Sequence, residues 1–547
     1  MTPSRSRRFT RLLLPCALAP MLETGLVAEL GPRSGLALAP QVTALPPFDL
    51  FHDLRWISVY HESWILLALE LLAMIGVRAV WVAWTVRAAW PGSDPPEVRR
   101  AAVRLLLYET IAATLMIPWV ALLFGLALTH LSFLFFAAIP PALGIAVAIH
   151  RGAVSRAAGP GYRWGPTSAS LGWVLGSFMW LSVAGAAAGS WSTGPAVAVA
   201  GLAGLGNARA WIGVVEDLAG APHRASGRWV ASSLVAATFA VVLVGTAAGF
   251  AADGSVSPPV RAGQTGTPMA ATVHSVLVAR GLFSRLGPST PVLGAGLPPG
   301  TAVRAFSYRG LDEAGEPRPY GPSDTLRTPE AMARLMDRQV RALYRAYGRP
   351  VTIVAESEGA LIARTYLLTR YPRHSGMVDE LVTLGLAVGP TAVYFPPPGT
   401  QGWGVGSGWA LRGLAGVLRG LGPLDFTPDA PILRRLTDCS SMFRRVVDER
   451  LPGGVRQVSI GALADAVDPS GENPAGPGWI VAAAHGGMVG RPDVQRLIAD
   501  VLEGRAPPAG SVWGRTASTL VSATSAAWRV PSLLPQLRPS ARCGTVR

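Results

Sequence analysis

The chain contains no lysine, so all 48 of its basic side chains are arginines. Acidic side chains number only 33, which leaves a formal net charge of +15 at pH 7. Proteins that bind nucleic acid concentrate such charge in basic clusters on a recognisable module, and this sequence has no such module. A uniform preference for arginine is more typical of a composition bias. The sequence therefore predicts no nucleic-acid partner.

Cysteine is also scarce, with Cys16, Cys439 and Cys543 lying far apart in the chain. These three residues show none of the spacings of metal-binding cysteine motifs, and their odd number provides no disulfide framework. A pairing of Cys439 with Cys543 in an oxidising compartment stays open. The sequence accordingly implies no metal and no cofactor.

Apolar residues, by contrast, are abundant. They make up 50% of the 547 residues, and the mean hydropathy is +0.34. This composition predicts a membrane portion joined to a soluble one, in a chain long enough for more than one domain. Six apolar stretches have about the length that spans a bilayer, and helices are the default there because a spanning segment must satisfy its own backbone. They lie at residues 60–85, 105–127, 129–149, 168–190, 194–214 and 229–252.

Arginines mark alternate loops between these predicted spans. Because positively charged loops stay in the cytoplasm, we expect everything after about residue 253 to lie outside it. The sequence shows no constellation of charged residues within the spans, since Glu70, Glu109 and Asp217 lie near span ends. This pattern argues against a transporter. The arginines of the three positive loops are Arg87, Arg99, Arg100 and Arg104, then Arg151, Arg156 and Arg163, then Arg224 and Arg228.

The segments around the predicted transmembrane domain (57–252) differ in composition. Residues 1–56 have a basic start and a modest apolar run that is typical of a signal-like anchor. Pro15, Pro20 and Glu23 make this run a poor transmembrane helix, and residues 31–56 are predicted to form a loop. A linker rich in Pro, Gly, Ser and Thr occupies 253–270. The tail, 506–547, is predicted either to lie on the membrane surface or to lack order.

Residues 271–505 alternate short apolar runs with amphipathic helical ones. This alternation predicts an α/β domain with a mostly parallel sheet. Thr328-Pro329-Glu330 is a good helix start, with a hydroxyl as the cap and proline at the first position. The expected helices are 328–347, 358–371 and 492–502, and the expected strands are 274–279, 302–308, 351–355, 381–385 and 455–461.

Residues 350–364 join a β-branched run to a run of helix formers, with Ser357 at the apex. A serine at such a strand-to-helix turn is the sequence form of a nucleophile elbow. The bent backbone demands small residues two positions before and after the serine, and Ala355 and Gly359 meet that demand. The usual pattern, G-x-S-x-G, has glycine where this chain has Ala355. Ser357 is therefore the predicted nucleophile, the alternative being an ordinary surface serine.

A serine nucleophile needs a base to take its proton and an acid to orient that base. In the elbow fold the chain order is serine, acid, histidine. His274 precedes the serine and His374 directly follows the nucleophile helix, which leaves His485 as the predicted base. The predicted acid is Asp465, with Asp468 as the alternative, because both follow a predicted strand at the edge where such sheets hold their sites.

Between about residues 273 and 504 the chain resembles the α/β-hydrolase superfamily, in its lipase/esterase branch. The resemblance rests on the elbow, on the strand 381–385, on the acid loop Asp465-Ala466-Val467-Asp468-Pro469, and on a late histidine followed by a loop and a final helix. It implies an oxyanion hole made by the backbone amides of Glu358 and Leu282. The second amide belongs to Arg280-Gly281-Leu282, in which Arg280 replaces the family's histidine. Each such donor typically contributes a factor of about 10² to 10³ in rate.

Two features around the elbow have alternative interpretations. Glu356 and Glu358 flank the nucleophile, and we hypothesise that they raise the pKa of His485 and disfavour anionic acyl products. The alternative is surface charge at a helix N-terminus, where acids are favoured. Residues 390–431, with Trp403 and a helix-like run at 409–421, are predicted to form either an apolar lid over the site or a surface loop.

Together these patterns predict a multi-spanning protein of the cell membrane with an extracytoplasmic α/β-hydrolase domain. Ser357 would attack an ester carbonyl, with His485 as base and then acid, and Asp465 as the group that orients it. The membrane anchor favours a lipid or cell-envelope ester as the substrate. Acyl transfer to an acceptor other than water and a catalytically silent binding domain are the alternatives.

Overall fold

The computed structural model describes residues 5–30, 33–57, 63–128, 132–149, 168–219, 274–287, 293, 296–371, 376–386, 405–421, 430–432, 435, 446, 449–464 and 478–505. A largely helical N-terminal half precedes a C-terminal half built on a parallel sheet. The order of the two predicted parts, helices first and then an α/β region, is therefore confirmed.

The N-terminal half is a bundle of apolar helices. Five of its helices are long and apolar enough to cross a membrane, which agrees with a membrane association of the protein. A further helix, α5, covers most of the predicted third span but is not among these five, and the predicted span 229–252 lies outside the described residues. The helices are α1 (Arg5–Leu30), α2 (Phe48–Ile57), α3 (Trp64–Ala89), α4 (Val98–Leu128), α5 (Ser132–Ile149), α6 (Ser168–Ser190) and α7 (Thr193–Leu218). The five candidates are α1, α3, α4, α6 and α7.

Two predictions about the first 57 residues are wrong. The N-terminal segment forms the continuous helix α1, with Pro15 and Pro20 inside it. Helix α1 packs so closely on α7 that a Cβ added to Gly204 would collide with the Cys16 carbonyl oxygen. Small residues allow this close approach between helices in a membrane, and the resulting packing opposes the destabilising effect of proline.

The predicted loop 31–56 contains the helix α2 and two short 3₁₀ turns, at Arg33–Ala37 and Ala39–Thr43. Helix α2 is buried in the bundle, where the ring of Phe48 stacks on that of Phe178 with 4.1 Å between centroids. Its short, mixed polar and apolar sequence did not signal a helix, and burial against α3, α4 and α6 makes it stable.

The C-terminal sheet has six parallel strands in the order β2-β1-β3-β4-β5-β6. Five of them match predicted strands to within a few residues. The missed strand is β6, whose sequence GWIVAAA has few of the β-branched residues that signal a strand. The strands are β1 (His274–Ala279), β2 (Thr301–Ala305), β3 (Val351–Glu356), β4 (Val378–Leu384), β5 (Arg456–Ala464) and β6 (Gly478–Ala484).

Helices cover both faces of this sheet. The first helix of the domain begins where predicted, since the Thr328 hydroxyl accepts a hydrogen bond from the Ala331 amide. It ends at Gly348, whose φ of +65° suits the left-handed cap. The helices are α8 (Pro329–Tyr347), α9 (Glu358–Thr369), α10 (Val405–Leu421) and α11 (Pro492–Leu502). One core cluster lies under α8 and α9, and another lies under α11.

The order of the strands reverses direction between β1 and β3. From β1 the chain continues to β2 on one side, and then adds β3 to β6 in succession on the other side. In open parallel sheets, ligands bind in the crevice at the carboxyl ends of the strands that flank such a reversal. The residues that follow β1 and β3 at this edge begin with Arg280 and Ser357.

Candidate active site

Ser357 lies between the last residue of β3 and the first residue of α9. Its backbone φ is +54°, a left-handed value that a residue with a Cβ rarely adopts. Such a conformation typically costs about 1–3 kcal/mol and persists only where the surroundings impose it. Here the Ser357 amide donates a 2.9 Å hydrogen bond to the carbonyl oxygen of Leu384, at the end of β4. The strained turn is thus held by the neighbouring strand.

Small residues surround this turn because there is no room for larger ones. A Cβ on Gly359 would lie 2.7 Å from the Ala279 carbonyl oxygen and 2.9 Å from that of Arg280. A Cβ on Gly281 would lie 2.7 Å from the Ser357 Cβ. Ala355 is fully buried and pairs with Ala279 of β1. The first turn of α9 therefore rests directly on the end of β1.

The structure brings His485 to Ser357, although 128 residues separate them in the chain. The Ser357 Oγ and the His485 Nε2 are 2.8 Å apart, which is within the range for a nucleophile and its base. Both residues are buried, with exposed fractions of 4% and 7%. His485 directly follows β6, and the positive φ angles of Gly486 and Gly487 turn the chain sharply after it. This geometry allows the histidine to accept the serine proton.

Glu356 ties the histidine loop to the nucleophile strand. Its Oε1 accepts a 2.6 Å hydrogen bond from the Met488 amide, and the Val489 amide also donates to this carboxylate. Burial raises the pKa of Glu356 above its ordinary value, although these amides and the nearby positive charges oppose the shift. The loop that carries His485 is thereby fixed against the end of β3.

Glu358 lies on the other side of the nucleophile, in contact with Tyr308. Burial raises the pKa of Glu358 well above its ordinary value, with the hydrogen bond from Tyr308 opposing the shift. The Tyr308 hydroxyl donates to the Arg280 carbonyl oxygen at 2.6 Å and lies 3.5 Å from the Glu358 Oε2. Both flanking acids are buried, so the alternative that they are surface charges is wrong. Sequence reasoning missed Tyr308, which lay unmarked at the end of a predicted strand.

The segment expected to supply one oxyanion-hole amide lies beside the nucleophile. The Ser284 amide donates to the Gly281 carbonyl oxygen at 3.2 Å, which closes a turn over Leu282 and Phe283. Phe283 has a φ of +61°, and its amide donates to the Thr325 hydroxyl at 3.0 Å. Leu282 is the residue after Gly281, which packs on the Ser357 Cβ. The role of its amide and of the Glu358 amide stays a prediction.

Asp465 and Asp468, the candidates for the orienting acid, lie outside the described residues. The described part of β5 ends at Ala464, which pairs in register with Ala484 of β6. Within the described ranges, no group of three or more His, Cys, Asp or Glu side chains is placed to hold a metal ion.

The helix-like run of the predicted lid is the helix α10. It packs against α4 and, to a lesser extent, α3 of the N-terminal bundle. Leu282 and Phe283 also pack against the apolar cluster to which these bundle helices contribute. Leu282 and Phe283, beside the nucleophile, thus share one apolar cluster with helices that are apolar enough to cross a membrane.

No protein-family model matches the chain, and no curated protein matches it either. The geometry around Ser357 is therefore the basis on which a function is inferred.

Proposed function

We propose that the protein is a membrane-anchored serine hydrolase of the α/β-hydrolase type that cleaves carboxylic esters. The observation that carries the proposal is the 2.8 Å contact between the Ser357 Oγ and the His485 Nε2. The serine lies on a strained strand-to-helix turn at the switch point of a parallel sheet, which is where such sheets place their ligands. An ordinary surface serine would be neither buried nor strained.

In this reaction His485 takes the Ser357 proton while the Oγ attacks the ester carbonyl carbon. The backbone amides of Glu358 and Leu282 stabilise the negative charge that develops on the carbonyl oxygen. His485 then gives its proton to the leaving alcohol. Water next attacks the acyl carbon while His485 takes the water proton, and His485 returns this proton to the Ser357 Oγ as the carboxylic acid leaves.

Asp465 would orient His485 during these steps. The register of the two last strands supports this choice, since Ala464 and Ala484 are paired and each directly precedes one of the two residues. Because β5 and β6 are parallel neighbours, about 4.8 Å apart, the chain leaves these two strands at the same edge of the sheet.

A lipid or envelope ester is the substrate class that this site fits best. Its oxyanion loop contains Leu282 and Phe283, which pack on the apolar cluster shared with the bundle. The helix α10 lies on α4, and its Ala415 belongs to the same apolar cluster. A long acyl chain could therefore remain in apolar surroundings as its ester group reaches Ser357.

The arginine pattern supports an extracytoplasmic hydrolase domain in the cell membrane. Arg8 donates to the Ala89 carbonyl oxygen, at the end of α3, and pairs with Glu216, near the end of α7. Both ends precede arginine-bearing loops, so the basic start of α1 lies on the same side as those loops. That side is cytoplasmic by the positive-inside rule, and the predicted span 229–252 would then carry the chain across to the other side.

The experiment that tests the proposal is fluorophosphonate labelling of the full chain in membranes. Wild type should be labelled, and Ser357→Ala should abolish the labelling. His485→Ala should slow it by about 10² to 10⁴, the usual contribution of a general base. Ser323→Ala, a matched exchange at an exposed serine, should leave labelling unchanged. Labelling that survives Ser357→Ala, or folded wild type that is never labelled, would refute the proposal.

A further inference from the structure

The N-terminal bundle contains a buried cluster of ionisable side chains that the hydrolase chemistry does not use. Its members come from four helices, so the expectation that no charged constellation lies among the spans is wrong. The expectation failed because α1 and α2 had been predicted not to belong to the bundle. The cluster consists of Glu23 of α1, Asp49, His52, Asp53 and Arg55 of α2, Arg78 of α3, and Glu109 of α4.

One end of the cluster is a continuous chain of hydrogen bonds. The His52 Nε2 lies 2.9 Å from the Glu23 Oε1, and its Nδ1 lies 2.8 Å from the Asp53 Oδ1. Asp53 also binds Arg78 through two guanidinium nitrogens, with 2.6 Å between Nη2 and Oδ1. The Trp56 indole donates to the same Glu23 oxygen at 3.0 Å. Glu23 is 19% exposed, so the chain leads from the bundle interior towards its edge.

The other end consists of the carboxyl groups of Asp49 and Glu109, three of whose four oxygens have no hydrogen-bond partner among the described residues. Asp49 and Glu109 have no exposed surface. Among the described residues, the Asp49 Oδ2 and both carboxyl oxygens of Glu109 have no hydrogen-bond partner. The Asp49 Oδ1 accepts from its neighbouring Leu50 amide at 2.7 Å. Because a buried ionised carboxylate is normally paired or hydrogen-bonded, this environment favours the neutral form of these carboxyl groups.

The balance of charge leads to the same conclusion. The cluster has four carboxyl groups against the two guanidiniums of Arg55 and Arg78, so it would be negative if all four were ionised and His52 were neutral. Uncompensated charge in such surroundings is strongly unfavourable, and the group neutralises by binding a proton instead. Arg78 is paired with Asp53, which leaves Glu109 and Asp49 as the groups that need the proton.

The surroundings of Glu109 favour a proton at that carboxyl. The Glu109 carboxyl interacts electrostatically with two acidic side chains, Asp49 and Asp53, and with one cationic side chain, Arg78. Its own helix adds Tyr108, whose buried hydroxyl has no partner among the described residues. Of the other helices packed on α4, α5 has no titratable side chain, and α10 contributes Arg412 and Arg419.

The cluster also lies deep in the bundle. Arg78 lies eleven residues before the end of α3, and Glu109 lies eleven residues after the start of α4. At about 1.5 Å per residue this places each about 16 Å from that end of its helix, within the apolar bundle. Ionisable residues at such depth are characteristic of proton relays and ion pathways.

We propose that the bundle holds a proton-binding site in which Glu109, beside Asp49, carries the proton. The hydrogen-bonded chain of Asp53, His52 and Glu23 lies within electrostatic range of Asp49 and Glu109, leads to the edge of the bundle and allows the proton to exchange. The bundle thus has a function of its own besides anchoring the hydrolase domain.

The test is infrared difference spectroscopy of the full-length protein in lipid, which detects the carbonyl stretch of protonated carboxyl groups. At neutral pH, wild type minus Glu109→Gln should show the loss of one protonated-carboxyl band. Glu97→Gln, the same exchange at an exposed glutamate paired with Arg100, should leave the spectrum unchanged. In Glu109→Asp the band should shift instead of vanishing, which separates loss of the group from loss of the fold.

Two further measurements decide the details. Asp49→Asn removes a neighbouring negative charge, so the Glu109 band should disappear at lower pH than in wild type. Glu23→Gln should slow the exchange of the carboxyl proton for deuterium. An unchanged spectrum in folded Glu109→Gln would overturn the proposal. A protonated-carboxyl band that sodium ions remove at constant pH would also overturn it, because such a loss would indicate a cation site. Since fluorophosphonate labelling is not the readout, failure here is distinguishable from failure of the hydrolase proposal.

Discussion

The strain at Ser357 leads to a prediction that compares the stability of two variants, both of which lack the nucleophile. Ser357→Ala and Ser357→Gly both remove the Oγ and its contact with His485, so that effect cancels when the two variants are compared. Alanine keeps the Cβ at a φ of +54°, whereas glycine adopts such angles freely. Glycine therefore relieves about 1–3 kcal/mol of strain.

Two smaller effects oppose this gain. Glycine's greater freedom in the unfolded chain destabilises by about 0.4–1 kcal/mol, and loss of the buried Cβ destabilises by about 0.8 kcal/mol. The balance runs from Ser357→Gly being about 0.8 kcal/mol less stable than Ser357→Ala to its being about 1.8 kcal/mol more stable, so most of the range favours glycine. For a domain of this size each 1 kcal/mol corresponds to about 2–4 °C in Tm.

The matched control is the same pair of exchanges at Ser323, which is exposed and is not among the residues with positive φ. There glycine should be less stable than alanine by the usual ~0.4–1 kcal/mol. Thermal unfolding of the four variants in the same detergent gives both differences. If glycine lowered Tm relative to alanine equally at both positions, the elbow would carry no strain and the reasoning would be wrong.

Three further predictions concern the residues around the nucleophile. Gly359→Ala forces α9 away from the end of β1, so kcat/KM should fall about 10²-fold, as expected for a misplacement of ~1 Å. The control Gly453→Ala should retain activity, because a Cβ there meets nothing within 4 Å. Burial raises the pKa of Glu358, so the folded carboxyl stays neutral while the unfolded chain ionises above its pKa of about 4.5. The Tm of Glu358→Gln should therefore equal that of wild type below about pH 4.5 and exceed it increasingly as pH rises towards the folded-state pKa. Equal Tm differences at pH 4 and pH 8 would contradict this. Glu356→Ala leaves the Met488 amide without its acceptor, so the histidine loop should loosen and fluorophosphonate labelling should slow by about tenfold or more. Glu356→Gln keeps one acceptor oxygen and should be closer to wild type. Equal rates in all three proteins would show that Glu356 does not position His485.

Local patterns predicted most of the elements that build the candidate site. The strand-to-helix turn at Ser357 was visible because β-branched residues, small residues and helix formers follow one another within fifteen positions. The helix α11 was predicted to the residue, since its proline start and apolar spacing are contained in its own sequence. The strand β6 was not predicted, because its alanines favour a strand only when β5 lies beside them.

The burial of charged groups could not be predicted in the same way. Glu356 and Glu358 look like surface acids at a helix start, and only the packing of the His485 loop and of Tyr308 encloses them. Glu23 and Glu109 look like residues near the ends of apolar runs. They become members of one cluster because α1 and α2 fold into the bundle beside α3 and α4.

The sequence by itself thus determined the division into an apolar helical half and an α/β half, the positions of five strands and the location of the elbow. These features depend on length, composition and periodicity, which are properties of neighbouring residues. Only the tertiary structure decided that Ser357 contacts His485 across 128 residues and that the flanking acids are buried. It also decided that Asp49 and Glu109 have carboxyl oxygens without a hydrogen-bond partner among the described residues. Distances, burial and electrostatic partners arise from contacts between residues far apart in the chain, and no local pattern contains them.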